Sequence, residues 1–329
     1  MSTHSATLDI MAPTEAINFN DFLKMMRCSD EGFLQISPHR KYQHDEQSYD
    51  NQYQISPYDY VAGEGLLNLA KSLNLDINNP ILELGCGTGR LSVGLLNAFD
   101  PAKVLVTDAS SIFLGISRQK FLKNGLVLPH LGVLQFENIS ALPDDTFSLI
   151  VIRSALHHVD KYDEFLVTAS KKLVRGGSLV FEEPLYEGLF VLGLIAKYLQ
   201  KSASDKELLK DLKLLSDTMR FYCRTDVDKS LAEDKYVFRL NDILNAANKA
   251  ELGLKFFPNR SFEDFAGEPS QFDYSKFAQD YLKYCMRFSD KTVTFFMSNA
   301  SDVLEYIAEI SGIDRAPESS GVFVLTRTI

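Results

Sequence analysis

Three glycines, two acids at the ends of apolar runs and a pair of adjacent histidines carry the chemistry in this sequence. The segment Ile81-Leu82-Glu83-Leu84-Gly85-Cys86-Gly87-Thr88-Gly89-Arg90 takes a short apolar run into alternating glycines and then opens a helical pattern. Glycines are wanted there because the chain turns sharply and a ligand must come close to the backbone. A tight strand-to-helix turn with no ligand is the plain alternative. A dinucleotide site is the sharper rival, but its Gly-x-Gly-x-x-Gly/Ala fingerprint fits in neither register. Counted from Gly85 the third small position falls on Arg90, and counted from Gly87 it falls on Ser92. Glu83, two residues ahead of Gly85, favours a cationic ligand over a pyrophosphate.

These residues need a sheet to hold them. Short apolar runs at Pro80 to Leu84, Val104 to Thr107, Leu131 to Phe136 and Phe147 to Ile152 read as buried strands. A fifth lies in Leu173 to Phe181, beyond a turn at Gly176-Gly177. Helical spacing fills Tyr58 to Leu73, Arg90 to Ala98, Ser110 to Lys123 and Lys161 to Lys172. That alternation predicts a parallel sheet covered on both faces. After Pro184 the rhythm changes to helical patterns over 185–250, and strand character returns at Leu252 to Phe257 and at Val322 to Thr328. The expected organisation is an arm or lid over 1–57, a core over 58–184 and a helical cap insertion over 185–250. The core then ends over 251–329, with a second helical insertion at about 262–312. The arm is rich in Tyr, His and Gln and reads as irregular, either a lid or a frayed tail.

Glu83 to Gly89 resembles the first motif of the class I S-adenosylmethionine-dependent methyltransferases, and four further stretches agree in order and spacing. Val104-Leu105-Val106-Thr107-Asp108 resembles the second motif, a strand ending in an acid 25 residues after Glu83. Asn138-Ile139-Ser140-Ala141-Leu142-Pro143 sits where the family often has Asp-x-x-x-Leu-Pro. Asp145 to Val151 is similar to the fourth-strand entry, with Ala155-Leu156-His157-His158 as its usual continuation, and Arg175-Gly176-Gly177 to the turn before the fifth strand. The resemblance covers about Pro80 to Pro184. It implies a Rossmann-like α/β fold, a seven-stranded mostly parallel sheet with helices on both faces, and S-adenosylmethionine as cofactor. Gly85, Cys86, Gly87 and Gly89 would lie against its methionine and ribose portion, with Glu83 near the positive end. Asp108, followed by Ala109, would accept the ribose hydroxyls, as a two-oxygen carboxylate can. Asn138 and the Ile139 backbone would face the adenine. For the acids, a solvated strand end or a helix cap is the plain alternative.

A sulfonium carries its own leaving group, so the protein's main tasks are alignment and exclusion of water. An acceptor that must lose a proton also needs a base, and histidine suits neutral pH. His157 and His158 follow the fourth strand, at the sheet edge where ligands of such folds bind, and His158 is preferred. Helix capping or packing against the sheet is the other reading of the pair. The Asn/Asp-Pro-Pro-Tyr/Phe motif of enzymes acting on nucleobase or amide nitrogen is absent, its position reading Ile152-Arg153-Ser154-Ala155. Arg153 stands where metal-dependent catechol-type enzymes place acids, so no metal is expected. Arg153 is a candidate for an anionic substrate group or the cofactor carboxylate, with a structural ion pair as the alternative. Glu182 and Glu183 end the fifth strand at the same edge. Aromatics of the cap (Tyr186, Phe190, Tyr198, Phe221, Tyr222) and of the arm (Tyr42, His44, Tyr49, Tyr53, Tyr58) are suited to closing over a small acceptor.

Bulk composition narrows the partners. Lys plus Arg number 34 against 44 Asp plus Glu, a net charge of −10 that repels phosphate backbones, so no nucleic acid is expected. The longest apolar run, Gly188 to Ala196, is far short of the roughly 20 residues of a membrane helix. Met1 to Ala12 lacks a signal-peptide pattern, and Cys28, Cys86, Cys223 and Cys285 have no metal or redox spacing. The expectation is a cytoplasmic, metal-independent enzyme methylating a small molecule, most readily at a hydroxyl. A protein or RNA methyltransferase, or a non-catalytic cofactor-binding module, are the alternatives.

Overall fold

The computed structural model describes residues 17–42, 45–52, 54–224, 226–229, 232–268, 271–311 and 317–328. Met1 to Ala12, His44 and Tyr53 lie outside these residues.

Eight strands form one sheet: β1 (Leu34–Gln35), β2 (Ile81–Leu84), β3 (Val104–Asp108), β4 (His130–Val133), β5 (Phe147–Arg153), β6 (Leu173–Pro184), β7 (Leu252–Pro258) and β8 (Ser320–Arg327). Their order is β1-β4-β3-β2-β5-β6-β8-β7. The seven expected strands are present, and β1 adds a short eighth. All pairings are parallel except those of β8, which runs antiparallel to β6 and β7. The chain leaves β2 toward β3 on one side and returns to β5 on the other. This reversal opens a crevice beyond the carboxyl ends of β2, β3 and β5.

β2, β3 and β5 are buried along nearly their whole length because both faces are covered. Alternate residues point to opposite sides. Leu82, Leu84, Leu105, Ile150 and Phe181 pack on α6 (Tyr162–Lys172) and α9 (Leu240–Lys249). Ile81, Val104, Val106, Val151 and Val180 pack on α3 (Pro57–Ser72), α4 (Arg90–Ala98) and α5 (Ser111–Lys123). A third cluster joins α7 (Tyr186–Leu199), α8 (Lys206–Cys223), α10 (Tyr274–Asp280) and α11 (Asp290–Ser311) through Leu192, Leu212, Leu215 and Phe296. No helix among the described residues is long and apolar enough to cross a membrane.

Residues 17–42 and 45–52 of the N-terminal arm carry regular elements that its composition does not imply. α1 (Phe19–Met25) starts at Asn18, whose side chain accepts from the Asp21 amide at 3.0 Å. Phe19 and Phe22 are buried in the sheet core, with Phe19 edge-on to Phe147 at 5.9 Å. β1 pairs in parallel with β4, and α2 (Glu46–Gln52) follows.

Candidate active site

The turn after β2 is built by left-handed glycines. Gly85 has φ +70°, and a Cβ there would lie 2.8 Å from that of Ala155. Gly87, at φ +53°, is also left-handed, which glycine adopts at least cost, yet a Cβ on it would meet nothing within 4 Å, so this part of the loop faces open space. The loop is held by Asp108 at the end of β3. One carboxylate oxygen accepts the Gly87 amide at 2.9 Å and the other the Ser110 amide at 2.8 Å. Burial raises the Asp108 carboxyl to about 6, against the pull of these amides. Glu83 is buried, and burial raises it to about 8. Among the described residues its Oε2 and the Thr88 hydroxyl have no hydrogen-bond partner at close geometry, with the Ser92 side chain the nearest polar group acting on Glu83. Neither acid forms an ion pair among the described residues, although Arg40, Lys41, Arg90 and Arg153 line the same cavity. Cys86 is buried against Ser117 and also lines the cavity, as does Ala109, whose carbonyl accepts from the Arg40 amide at 2.9 Å. An unpartnered buried acid, an open glycine face and a strand-end carboxylate fit a cationic nucleoside.

The expected adenine contacts are placed differently. β4 ends at Val133, three residues earlier than expected, and residues 136–141 coil into a 3₁₀ turn. That turn directs Ile139 into the core at 1% exposure and leaves Asn138 off the cavity wall. Gln135, Phe136 and Glu137 line the wall instead. Opposite them, Tyr42, Tyr49 and Phe113 form an aromatic group with centroids 5.0–5.8 Å apart. α2 is fastened there by Glu46 to the Ser110 hydroxyl at 3.3 Å and by an Asp50–Lys120 ion pair. Tyr42 and Tyr49 belong to the expected aromatic lid. Phe113 went unread because its helix shows no aromatic pattern.

Both histidines line the cavity. His157 Nδ1 lies 2.6 Å from Glu183 Oε2, and its Nε2 lies 3.4 Å from Asp234 Oδ1. Burial favours the neutral ring, but Glu183 and Asp234 outweigh it and push His157 up to about 10. Glu183 itself is buried, with Oε1 accepting the Ala155 and Leu156 amides at 2.9 and 2.6 Å. His158 Nδ1 faces the Glu233 carbonyl at 3.0 Å and Asp234 Oδ1 at 3.3 Å. A carbonyl can only accept, so Nδ1 carries the proton and Nε2 the lone pair. Burial and the neighbouring His157 charge depress His158 to about 4. The rings are 4.1 Å apart. Asp234 also accepts from the Tyr222 hydroxyl at 2.9 Å, and burial notwithstanding, His157 and His158 hold it well below the usual carboxylate range. Ligand atoms of His157, His158 and Asp234 come within 4.8 Å of one another, a spacing a metal ion can also span. In this structure the three are paired with one another.

Arg153 contacts Glu263 at 2.8 Å and Glu182 at 3.5 Å, and caps the Phe262 ring. Its charge is committed to two protein carboxylates, the structural ion pair of the two sequence readings. Glycine loop, aromatic group and histidines share one cavity of about 920 Å³, at the upper end of the range for small-ligand sites. Its far wall comes from Leu189, Tyr222, Phe277, Tyr281 and Met286.

Residues 82–179 match the family described as methyltransferase domain. The ubiquinone/menaquinone biosynthesis C-methyltransferase of Vibrio parahaemolyticus is 26% identical over 195 residues, which cover 54% of this chain and 72% of that protein. The mitochondrial ubiquinone biosynthesis O-methyltransferase of Schizosaccharomyces pombe is 23% identical over 175 residues, 50% of this chain and 62% of that protein. In fold, the chain is similar to Haemonchus contortus phosphoethanolamine N-methyltransferase 2, solved with phosphomonomethylethanolamine and S-adenosylhomocysteine. The TM-score is 0.50 at 11% identity, covering 88% of this chain and 59% of that one. Motifs, strand order and the matched domain agree, and residues 82–179 are a methyltransferase domain of the S-adenosylmethionine-dependent kind.

Proposed function

We propose that the chain methylates a small molecule held in the cavity between the glycine loop and the histidine pair, at a hydroxyl and without a metal ion. S-adenosylmethionine, when bound, supplies an electrophilic methyl group with a neutral thioether as its leaving group. Gly85, Gly87 and Gly89 offer backbone for its close approach, Asp108 accepts from its ribose, and Glu83 supplies negative charge near its sulfonium. Phe136, Glu137 and the Tyr42–Tyr49–Phe113 group replace Asn138 and Ile139 as the proposed adenine contacts. Arg153 is left in a supporting role, keeping Glu182 and Glu263 compensated.

The observation that carries the reading is the His158 tautomer. A neutral imidazole with its lone pair on Nε2, beside the cavity, can take a hydroxyl proton as the acceptor oxygen forms its bond. His157, held charged, favours negative charge developing nearby. The wall of Tyr222, Phe277, Tyr281 and Met286 bounds the cavity on one side and supports a small acceptor over a polymer.

A carbon acceptor is the second reading, favoured by the C-methyltransferase among the similar proteins. Deprotonating a phenol makes both its oxygen and its ring carbons nucleophilic, so one base serves either outcome. Titration calorimetry with S-adenosylmethionine, followed by a methyl-donor assay over hydroxylated aromatic metabolites, tests the proposal. NMR of the product separates a methoxy group from a ring methyl. Absence of cofactor binding ends both readings.

A further inference from the structure

Three consecutive residues of the α8–α9 connection hold the two histidines. The Glu233 carbonyl faces His158 Nδ1 at 3.0 Å, Asp234 Oδ1 lies 3.3 and 3.4 Å from His158 Nδ1 and His157 Nε2, and the Lys235 amide donates to the His157 carbonyl at 3.0 Å. The other oxygen of Asp234 accepts from Tyr222 on α8. Glu233 is in turn a hydrogen-bond partner of Tyr42 in the N-terminal arm. The cap insertion, the arm and the turn after β5 therefore meet at one carboxylate and its neighbour.

We propose that Asp234 is a positioning residue for methyl transfer: it fixes His158 with the proton on Nδ1. The proposal rests on the reading of His158 as the base. Glu233 offers the ring a backbone acceptor, but that carbonyl stays in place through Asp234, which is tied at once to His157, His158 and Tyr222. Without the Asp234 carboxylate, His158 loses one of the two acceptors that define its tautomer, and His157 loses one of its two carboxylates. The charged and titratable groups facing the pair are Glu183 from β6, Glu233 and Asp234 from the connection, Tyr222 from α8, Tyr42 from the arm, and Tyr281, which senses Asp234 and Tyr222.

The test uses the full chain labelled with ¹⁵N-histidine and bound to S-adenosylhomocysteine, with long-range proton–nitrogen spectra reading each ring's tautomer. The native chain is expected to show His158 as Nδ1–H. Asp234→Ala is expected to give a mixture with Nε2–H, and to speed exchange of the Lys235 amide by about tenfold, the loss of one charged hydrogen bond. Asp234→Glu is expected to restore the single tautomer. An unchanged tautomer and unchanged exchange in Asp234→Ala would overturn the proposal. So would a native protein that shows the Nδ1–H form only after zinc is returned to chelator-treated samples, which would make the trio a metal site. Calorimetry with S-adenosylmethionine keeps the two ideas apart. Cofactor binding by native chain and variant alike, with no change in tautomer, sinks the role of Asp234 alone; no binding by the native chain sinks the functional reading.

Discussion

Glu183 Oε2 lies 2.6 Å from His157 Nδ1, while Glu183 Oε1 accepts the backbone amides of Ala155 and Leu156. One buried side chain thus ties the end of β6 to the turn after β5 and orients the histidine that turn carries. Removing it leaves two amides without a partner and takes from the imidazolium the nearer of its two carboxylates. Glu183→Ala is expected to cost about 3–5 kcal/mol of stability, the usual penalty for breaking a buried ion pair from one side. Glu183→Gln keeps an acceptor oxygen and is expected to cost about 1–3 kcal/mol. Urea unfolding of the two variants checks both the order and the size.

The same clamp makes stability depend on alkaline pH. His157 is raised to about 10 in the fold from an ordinary value of 6.5, so the folded chain holds a proton that the unfolded chain releases. The stabilisation is complete below about 6.5 and is lost progressively as pH rises through about 10. His158, depressed to about 4, acts in the opposite sense: its contribution is present above 6.5 and lost as pH falls toward 4. Glu83 and Asp108, raised by burial, act in the same sense as His157 and oppose His158 on the acid side, so urea midpoints measured from pH 7 to 10 are expected to decline toward alkaline pH. Asp234→Asn is expected to move the alkaline decline to lower pH. An alkaline limb identical in that variant would mean that Asp234 does not hold the His157 charge.

What could be read from the sequence was what short stretches encode. The glycine loop, Asp108 and the histidine pair each sit at the end of a strand whose apolar run marks it, so strand and residue are found together. β4 stops at Val133 and a 3₁₀ turn follows, so Gln135, Phe136 and Glu137 line the cavity wall while the Ile139 side chain turns into the core, a shift that strand periodicity does not reveal. Asp234 left no local signal: its partner histidines lie some 75 residues earlier, and only folding of the cap brings them together. β1 escaped for a related reason. Two residues are too few for a periodicity, and the strand exists because β4 offers it an edge. Arg153 kept two readings until Glu263, 110 residues away, appeared beside it.

Cofactor binding is expected to release protons. Glu83 at about 8 and Asp108 at about 6 are both raised by burial without a cationic partner. A bound sulfonium and ribose favour the carboxylate forms and lower both values. Affinity for S-adenosylmethionine is therefore expected to strengthen as pH rises from 5 to 8. Calorimetry in buffers of different ionisation enthalpy is expected to register proton release near pH 7. Asp108→Ala is expected to weaken binding about 10- to 150-fold, the worth of a hydrogen bond to a charged group. A pH-independent affinity, or full affinity in Asp108→Ala, would move the ribose site elsewhere.

Two glycines of the loop make a paired test of where the cofactor lies. Gly87 and Gly89 both have positive φ, so alanine at either carries a backbone strain of about 1–2 kcal/mol. At Gly89 the new methyl would also press on the Ser117 side chain at 2.8 Å, adding about 1–3 kcal/mol of overpacking. At Gly87 it would meet no protein atom within 4 Å. Gly89→Ala is thus expected to be the less stable variant in thermal unfolding. Gly87→Ala is expected to stay folded while losing at least about tenfold in cofactor affinity, because its methyl enters the face where the ligand's backbone contact is made. If Gly87→Ala bound S-adenosylmethionine as the native chain does, that open face would not be the cofactor's seat.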